Sequence, residues 1–159
     1  MKKIFFLSGA VIFLLCSCKK NLPDVGKTAA EKMANEWWVT LDQGGTQDAL
    51  GLGHFKIATY NTSANDDSIW VDDLGNGWDV KFRAKADFSN LTFGASNSSN
   101  LYGPITINLN DGKVFLEAGH SRSGNVADSI HMKLEFSDDP GVVYEMNGVA
   151  RTRFAEDDY

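Results

Sequence analysis

The amino-acid sequence predicts an all-β fold of roughly eight to ten short strands, and two observations support it. Apolar and polar side chains alternate along residues 78–88 and again along residues 129–137. This pattern is typical of antiparallel strands with one face in a core and the other in water. Helical periodicity is confined to a short stretch before residue 36. Both a barrel and a sandwich fit this number of strands, and alternation alone does not distinguish them.

The N-terminus has the pattern of a secretory signal. Lys2 and Lys3 precede an apolar run that ends at Leu15 and is too short to span a bilayer. Ser17 then stands directly before Cys18, an arrangement that looks like the cleavage and lipidation site of a bacterial lipoprotein. The sequence therefore predicts that Cys18 carries an acyl anchor.

Cys16 and Cys18 also fit a Cys-x-Cys metal or redox pair, or a disulfide. No other cysteine follows them, so cleavage before Cys18 discards Cys16 and leaves no disulfide framework. A lipidated N-terminus carries more than one acyl chain, which is enough for stable anchoring. We therefore favour the anchor over the metal or redox pair.

Cleavage before Cys18 divides the chain into three parts, which are a signal peptide at residues 1–17, a lipidated cysteine with its tether at residues 18–26, and one β domain at residues 27–159. It leaves 142 of the 159 residues, which is enough for one domain with its own core. The removed segment carries two lysines and no acid, so the formal net charge moves from −6 to −8. An acidic domain is a poor match for nucleic acid and for anionic headgroups, and neither partner is expected.

A short helical turn is predicted ahead of the first strand. Thr28 and Glu31 have the spacing of a capping box. The strand-like segment EWWVTLD follows at residues 36–42. Because successive side chains of a strand point to opposite faces, Trp37 is expected to point into the core and Trp38 outward, under a covering loop or long side chain.

Asn76-Gly77 predicts a two-residue hairpin turn. Its inner pairs are Val71 with Phe82 and Ile69 with Ala84, and its outer pairs are Asp72 with Lys81 and Trp70 with Arg83. The last pair is a candidate cation–π contact. The same register places Asp73 on the inner face, where burial would raise the pKa of its carboxyl. A turn aspartate that accepts hydrogen bonds from turn N–H groups is an equally open reading.

Asp111-Gly112 predicts a second hairpin turn. With this turn, apolar residues meet apolar residues at each inner position, which are Leu109 with Val114, Ile107 with Leu116, and Ile105 with Ala118. A slip of one residue would break all of these pairs, so the register is expected to be fixed. Further strands are predicted at residues 52–60, 91–95 and 142–154.

The inward positions of these strands are mostly apolar and include flexible methionines, which suits an acyl chain or a similar ligand. Barrels of eight strands are either packed solid or hollow enough for one small ligand, so simple core packing is the alternative. Ten residues are predicted to line a ligand pocket: Trp37, Phe55, Ile57, Val71, Trp78, Phe82, Met132, Leu134, Tyr144 and Met146.

Candidates for catalysis are few. The segment GHSRSG resembles a Gly-x-Ser-x-Gly nucleophile elbow only loosely, because Gly124 comes one residue too late for Ser121. An elbow also requires a following helix, and a hairpin connection is the better interpretation of residues 119–126. The weak candidates for a hydrolase reaction are His120, Ser121 and Asp128, together with Asp73.

The histidines do not have a metal-site pattern. Strand alternation places His54 and His131 on outer faces, and neither lies at the spacing of a zinc site. No metal and no cofactor are therefore expected.

The opening ANEWWVTLD, after a short helical turn, resembles the start of lipocalins and other calycins. In those barrels a tryptophan begins the first strand at the closed end, and an arginine near the end of the last strand packs across it. The resemblance implies that Trp37 closes the barrel together with Arg151 or Arg153.

A second resemblance covers nearly the whole mature chain. The segments GLGHF, YNT and DDLGNGWD are similar to those of small Bacteroidetes lipoproteins described as lipid-binding putative hydrolases. That family is taken to have a calycin-like fold, which implies an antiparallel up-and-down barrel of about eight strands. Surface lipoproteins of Bacteroidetes tend to carry acidic residues after the anchor, whereas Lys19 and Lys20 follow Cys18. An outer-membrane lipoprotein that faces the periplasm is therefore expected.

The leading prediction is a lipid-anchored envelope protein that binds a lipid or another small hydrophobic molecule inside its barrel. A hydrolase that acts on a lipid or ester, implied by the family description, is the first alternative. The second is an accessory lipoprotein that contacts glycan or an envelope protein through the outward aromatics Trp38, Trp70 and Phe115.

Overall fold

Eight antiparallel strands close into one barrel in the computed structural model, which describes residues 27–159. Each strand pairs with its neighbours in the chain, and the last pairs with the first. The strands are β1 (Asn35–Gln43), β2 (Phe55–Asn61), β3 (Ser68–Asp72), β4 (Lys81–Asp87), β5 (Thr92–Ser99), β6 (Thr106–His120), β7 (Val126–Phe136) and β8 (Tyr144–Ala150). The predicted all-β fold of about eight strands is confirmed, and it is a barrel rather than a sandwich. The predicted signal peptide, lipidation site and tether lie outside the described residues.

The loops of this up-and-down barrel gather at two ends. The tail end holds the N-terminal turn, the loops after β2, β4 and β6, and the residues that follow β8. The mouth end holds the loops after β1, β3, β5 and β7. The strand that a loop follows therefore decides at which end of the barrel the loop lies.

A single helical turn plugs the tail end, as the sequence predicts. The backbone N–H groups of Met33 and Ala34 both donate to the carbonyl of Ala30 at 2.8 Å, and Ala30 and Met33 are buried. The hydroxyl of Thr59 donates to the carbonyl of Met33 and accepts the indole N–H of Trp37 at 2.8 Å. Trp37 is fully buried, so its predicted inward orientation is confirmed.

The predicted register of the β3–β4 hairpin is confirmed at all four pairs, which are Val71 with Phe82, Ile69 with Ala84, Asp72 with Lys81, and Trp70 with Arg83. The predicted two-residue turn at Asn76-Gly77 is wrong, because the loop is longer and its residues with positive φ are Leu74, Gly75 and Asp79. The cation over the Trp70 ring, however, is Lys81, whose Nζ lies 5.8 Å from the ring centroid. Lys81 is held there by the carboxylate of Asp72 at 3.1 Å, while Arg83 forms an ion pair with Asp66. The predicted contact of Arg83 with Trp70 is therefore replaced by that of Lys81, because Asp66 holds Arg83 and Asp72 holds Lys81.

The predicted hairpin at Asp111-Gly112 is wrong. Residues 106–120 form the single long strand β6, which pairs with β5 on one side and β7 on the other. Asp111 has a φ of 54°, and the register with β7 shifts between Asn110 and Lys113. The Asp-Gly pair therefore forms a β-bulge, which needs the same unusual backbone conformation as a tight turn. Apolar pairing fitted the hairpin because the inner positions of β6 also face apolar positions of its two neighbours.

This correction moves Leu116 out of the core. A second shift in register, between Phe115 and Gly119, turns the end of β6 away from its predicted alternation, and Leu116 is 44% exposed. The predicted hairpin connection between β6 and β7 is confirmed, since the N–H of Ser121 donates to the carbonyl of Asn125 at 2.8 Å.

The chain leaves the barrel after Ala150, earlier than the predicted strand end at residue 154, and its last residues cover Trp38. The indole N–H of Trp38 donates to Asp158 at 3.2 Å, and the Tyr159 ring packs edge-on at 5.7 Å between centroids. The predicted cover over the outward tryptophan is therefore the C-terminal segment.

Arg151 holds this C-terminal segment in place. Its guanidinium donates to Asp158 at 2.6 and 2.7 Å and to Glu36 at 2.9 Å. These contacts lie on the outer face, whereas the indole of Trp37 bonds to Thr59, and Arg153 is exposed. Arg151 thus has partners other than Trp37, and closure of the barrel by Trp37 with Arg151 or Arg153 stays a prediction.

We expect Gly112→Ala to lower the free energy of unfolding by about 2 kcal/mol, because the bulge leaves no room for a side chain. A Cβ at this position would lie 2.4 Å from the carbonyl oxygen of Phe93. Gly103→Ala is the control, since the nearest atom to its Cβ is 3.6 Å away, and it should change stability by less than about 0.5 kcal/mol. Urea unfolding measures both; equal stability of the two variants would contradict the bulge.

Candidate functional site

The ten residues predicted to line a ligand pocket form the centre of the barrel core. Nine of them are buried, and the tenth, Trp78, packs against the same core from its edge. Trp37, Phe82 and Met132 are fully buried and fill the space between opposite walls. Ligand binding by these residues stays a prediction, and it would require the packed side chains to move apart.

Three aromatic rings close the mouth end. Trp78 stacks on Phe136 at 4.5 Å between ring centroids and lies 5.1 Å from Tyr144. The indole N–H of Trp78 donates to Asp138 at 3.2 Å, and the Tyr144 hydroxyl donates to Asp139 at 2.7 Å. The bond to Asp139 raises the pKa of Tyr144 to about 12. The loop after β7 thus fixes the rings that cover the interior.

Asp73 organises the turn between β3 and β4. Its carboxylate accepts backbone N–H groups from Gly75 at 2.9 Å, Trp78 at 2.7 Å and Val80 at 3.0 Å, and the residue is almost fully buried. Burial raises the pKa of Asp73 above its usual value, although these N–H donors act in the opposite direction. Asp73 is therefore inward-facing, as the register predicts, and its oxygens are already engaged by the turn.

The other candidates for catalysis lie at the opposite end of the barrel from Asp73. The hydroxyl of Ser121 is 3.1 Å from that of Ser123 within the β6–β7 turn. Asp128 accepts the backbone N–H of Glu117 at 2.8 Å, and His120 is exposed. The described contacts therefore do not join Ser121, His120 and Asp128 into a nucleophile, base and orienting acid.

A polar cluster on the outer wall extends the predicted pair of Asp72 and Lys81 by two tyrosines that the sequence pattern does not indicate. Asp72 accepts the hydroxyls of Tyr60 and Tyr102, each at 2.7 Å, and pairs with Lys81. Burial opposes ionisation of Asp72, but the tyrosine hydrogen bonds keep its pKa below the usual value. These groups satisfy one another and join β2, β3, β4 and the loop after β5, so the cluster serves as a structural brace.

A groove of about 740 Å³ lies on the outer wall across β4, β5, β6 and β7. The groove has a largely apolar floor, because Gly94 on β5 has no side chain and Gly112 lies at the bulge, beside the Phe93 ring. Phe115 forms part of its wall and is 39% exposed. Its volume lies within the range of about 300–1,000 Å³ that is usual for small-molecule sites.

A smaller polar depression of about 330 Å³ adjoins the groove and shares Lys85 and Gly94 with it. The lining of this depression includes Arg83 and three serines and contains no acid. The apolar groove and the polar depression thus form one surface channel, which we call the outer-wall channel.

The charged side chains that line the groove have different partners within the protein. Asp87 accepts the backbone N–H groups of Ser89 and Asn90, and Asp111 pairs with Lys133 at 3.0 Å. The Lys113 ammonium lies 5.1 Å over the Phe115 ring. Both acids of the lining therefore have partners within the protein.

Residues 27–159 contain neither a cluster of metal-ligating side chains nor a helix that could cross a membrane. In that range no three histidine, cysteine, aspartate or glutamate side chains gather closely enough to hold a metal ion. His54 stacks on Tyr159 at 3.9 Å, and Nδ1 of His131 lies 2.7 Å from Oδ1 of Asn147. Nor does any helix among these residues have the length and hydropathy to cross a membrane.

The closed barrel, its plugged tail end and its apolar surface channel define a small β-barrel protein of calycin-like architecture. The model of the family described as "lipid-binding putative hydrolase" matches residues 22–155, and the chain therefore belongs to that family. No curated protein sequence matches the chain. The family resemblance is confirmed to this extent, while the Bacteroidetes source and the lipoprotein anchor stay predictions.

Two glycines in the sequence indicate the position of the channel, but one of them was assigned to a hairpin turn. Gly94 stands inside a predicted strand, and Gly112 follows Asp111 in what looked like a turn. A glycine within a strand marks a bulge or the close approach of another group. Two such glycines on neighbouring strands indicate a depression in the wall, but only a correct strand order brings them together.

We expect Asp73→Asn to lower the free energy of unfolding by about 2 kcal/mol, since the amide nitrogen cannot accept the buried turn N–H groups. Asp79→Asn is the matched control in the same turn. Asp79 is exposed, and asparagine tolerates its φ of 55°, so stability should change by less than about 0.5 kcal/mol. Thermal or urea unfolding compares the two; a neutral Asp73→Asn would show that the carboxylate does not organise the turn.

Proposed function

We propose that the protein is a lipid-anchored lipoprotein of the cell envelope that binds a lipid or another small hydrophobic molecule. Its membership of a lipid-binding family supports the ligand class. The observation that carries the proposal is the open apolar groove on the outer wall, which is large enough for an acyl chain.

The geometry favours this groove over the barrel interior as the binding site. A ligand in the interior must displace Trp78 from its stack on Phe136 and then separate buried side chains such as Phe82. Side chains that are displaced from a packed core lose dispersion contacts, and the ligand has to replace those contacts. A ligand in the groove covers the exposed ring of Phe115 and the glycine floor without moving the core.

The two alternatives have less support. A hydrolase is suggested by the family description, but its candidate groups Asp73 and Ser121 lie at opposite ends of the barrel. Docking through outward aromatics would use Trp38 and Trp70, which the C-terminal segment and Lys81 already contact. Phe115, the third of these aromatics, belongs to the groove.

The anchor places this binding surface at a membrane. Cys18 precedes the described barrel by only a short polar tether, and diacylation there would hold the domain close to the lipid from which it takes its ligand. The outer membrane with a periplasmic orientation is the proposed location, because Lys19 and Lys20 follow the anchor.

Phe115→Ala should weaken binding of a fluorescent fatty acid by roughly fivefold to tenfold, because it removes an aromatic wall of the groove. Leu116→Ala is the matched control, since Leu116 is the next residue of β6, is similarly exposed and lies outside the groove. Titration of the soluble domain, residues 19–159, measures both affinities. Equal loss in the two variants, or no loss in either, would remove the groove as the binding site.

Cys18→Ser should abolish incorporation of radiolabelled palmitate and release the protein from the membrane fraction, because serine provides no thiol for acylation. Cys16→Ser is the control and should leave labelling unchanged, since Cys16 lies in the segment predicted to be removed. Labelling that persists in Cys18→Ser would contradict the assigned anchor.

A further inference from the structure

We infer that the outer-wall channel binds a single-chain amphiphile with an anionic head, placing the acyl chain in the apolar groove and the carboxylate or phosphate at Lys85. This inference rests on the proposed lipid binding and adds the chemistry of the head. It departs from the expectation drawn from the net charge of the domain, because the lining of the polar depression holds two cations and no acid. The two parts of the channel meet at Lys85 and Gly94, so a continuous ligand passes from one to the other there.

The lining of the polar depression of the channel includes cations and serines and no acid. Both acids that line the groove have partners within the protein, Asp87 in its own turn and Asp111 at Lys133. The lining of the polar depression provides the cations Arg83 and Lys85 together with serine hydroxyls. A neutral head would leave these cations without a new partner, whereas an anionic head forms charge-assisted hydrogen bonds with them.

Lys85 is the cation that lines both parts of the channel, and its ion pair within the protein is exposed. Its ammonium lies 3.7 Å from the carboxylate of Asp67, and the two side chains are 81% and 67% exposed. Such an exposed ion pair contributes little, so replacing Asp67 by a ligand anion costs little. Arg83 is less available because its guanidinium is held closely by Asp66.

The size of the groove fits one chain. Four adjacent strands spaced by about 4.8 Å place its two edges roughly 14 Å apart, from Lys85 on β4 to His131 on β7. Lys113, Phe115 and His131 lie on the side of the groove farther from the polar depression. The ligand therefore lies across the strands, with its head on the β4 side.

Three ligands with the same twelve-carbon chain test the inference, namely dodecanoate, dodecyl phosphate and 1-dodecanol. Isothermal titration of residues 19–159 at pH 8 should show the two anions binding at least fivefold more tightly than the alcohol. Lys85→Gln should weaken binding of the anions by roughly fivefold and leave the alcohol unchanged, because only the charge contact is lost. Lys32→Gln, a change at an exposed lysine of the N-terminal turn, should alter none of the three.

The outcomes separate this inference from the proposed function. Equal binding of all three ligands, or equal affinities in Lys85→Gln and the wild type, overturns the anionic head while lipid binding stands. Binding of none of them overturns lipid binding itself and the inference with it. A preference for one anion over the other supports the inference and identifies the carboxylate or the phosphate as the natural head.

Discussion

The closure of eight strands into a barrel is the constraint on which the rest of the structure depends. A barrel of this size is either packed solid or hollow enough for one small ligand, and here fully buried side chains such as Trp37, Phe82 and Met132 occupy the interior. The N-terminal turn seals one end, and the stack of Trp78 on Phe136 covers the other. Since the interior is occupied, the open apolar concavity belongs to the outer wall.

The bulge in β6 links the fold to that concavity. Asp111 adopts a positive φ, and Gly112 then passes so close to Phe93 that a side chain has no room. The extra residue lets β6 stay paired with both neighbours while its second half carries Phe115 into the groove wall. The irregularity in the ladder therefore shapes the groove, and bulges are common beside functional sites.

Strand alternation allowed much of the fold to be predicted, including the register of the β3–β4 hairpin and the inward orientation of Trp37. The Asp111-Gly112 pair was wrongly predicted as a hairpin turn because a tight turn and a bulge require the same backbone conformation. Only the pairing with neighbouring strands distinguishes the two. The channel escaped prediction for a related reason. Its floor combines Gly94 and Gly112, which are distant in sequence and meet only after β5 and β6 pair.

The central claim is that the ligand lies on the outer wall and leaves the core intact. Photocrosslinking with a dodecanoate that carries a diazirine near its terminal carbon tests this most directly, with the modified peptides mapped by mass spectrometry. The proposed binding mode predicts labels on the groove residues farthest from Lys85, chiefly at Lys113, Phe115 and His131. Labels on Phe82 or Met132, at the centre of the barrel, would contradict it and show that the core opens to admit the chain.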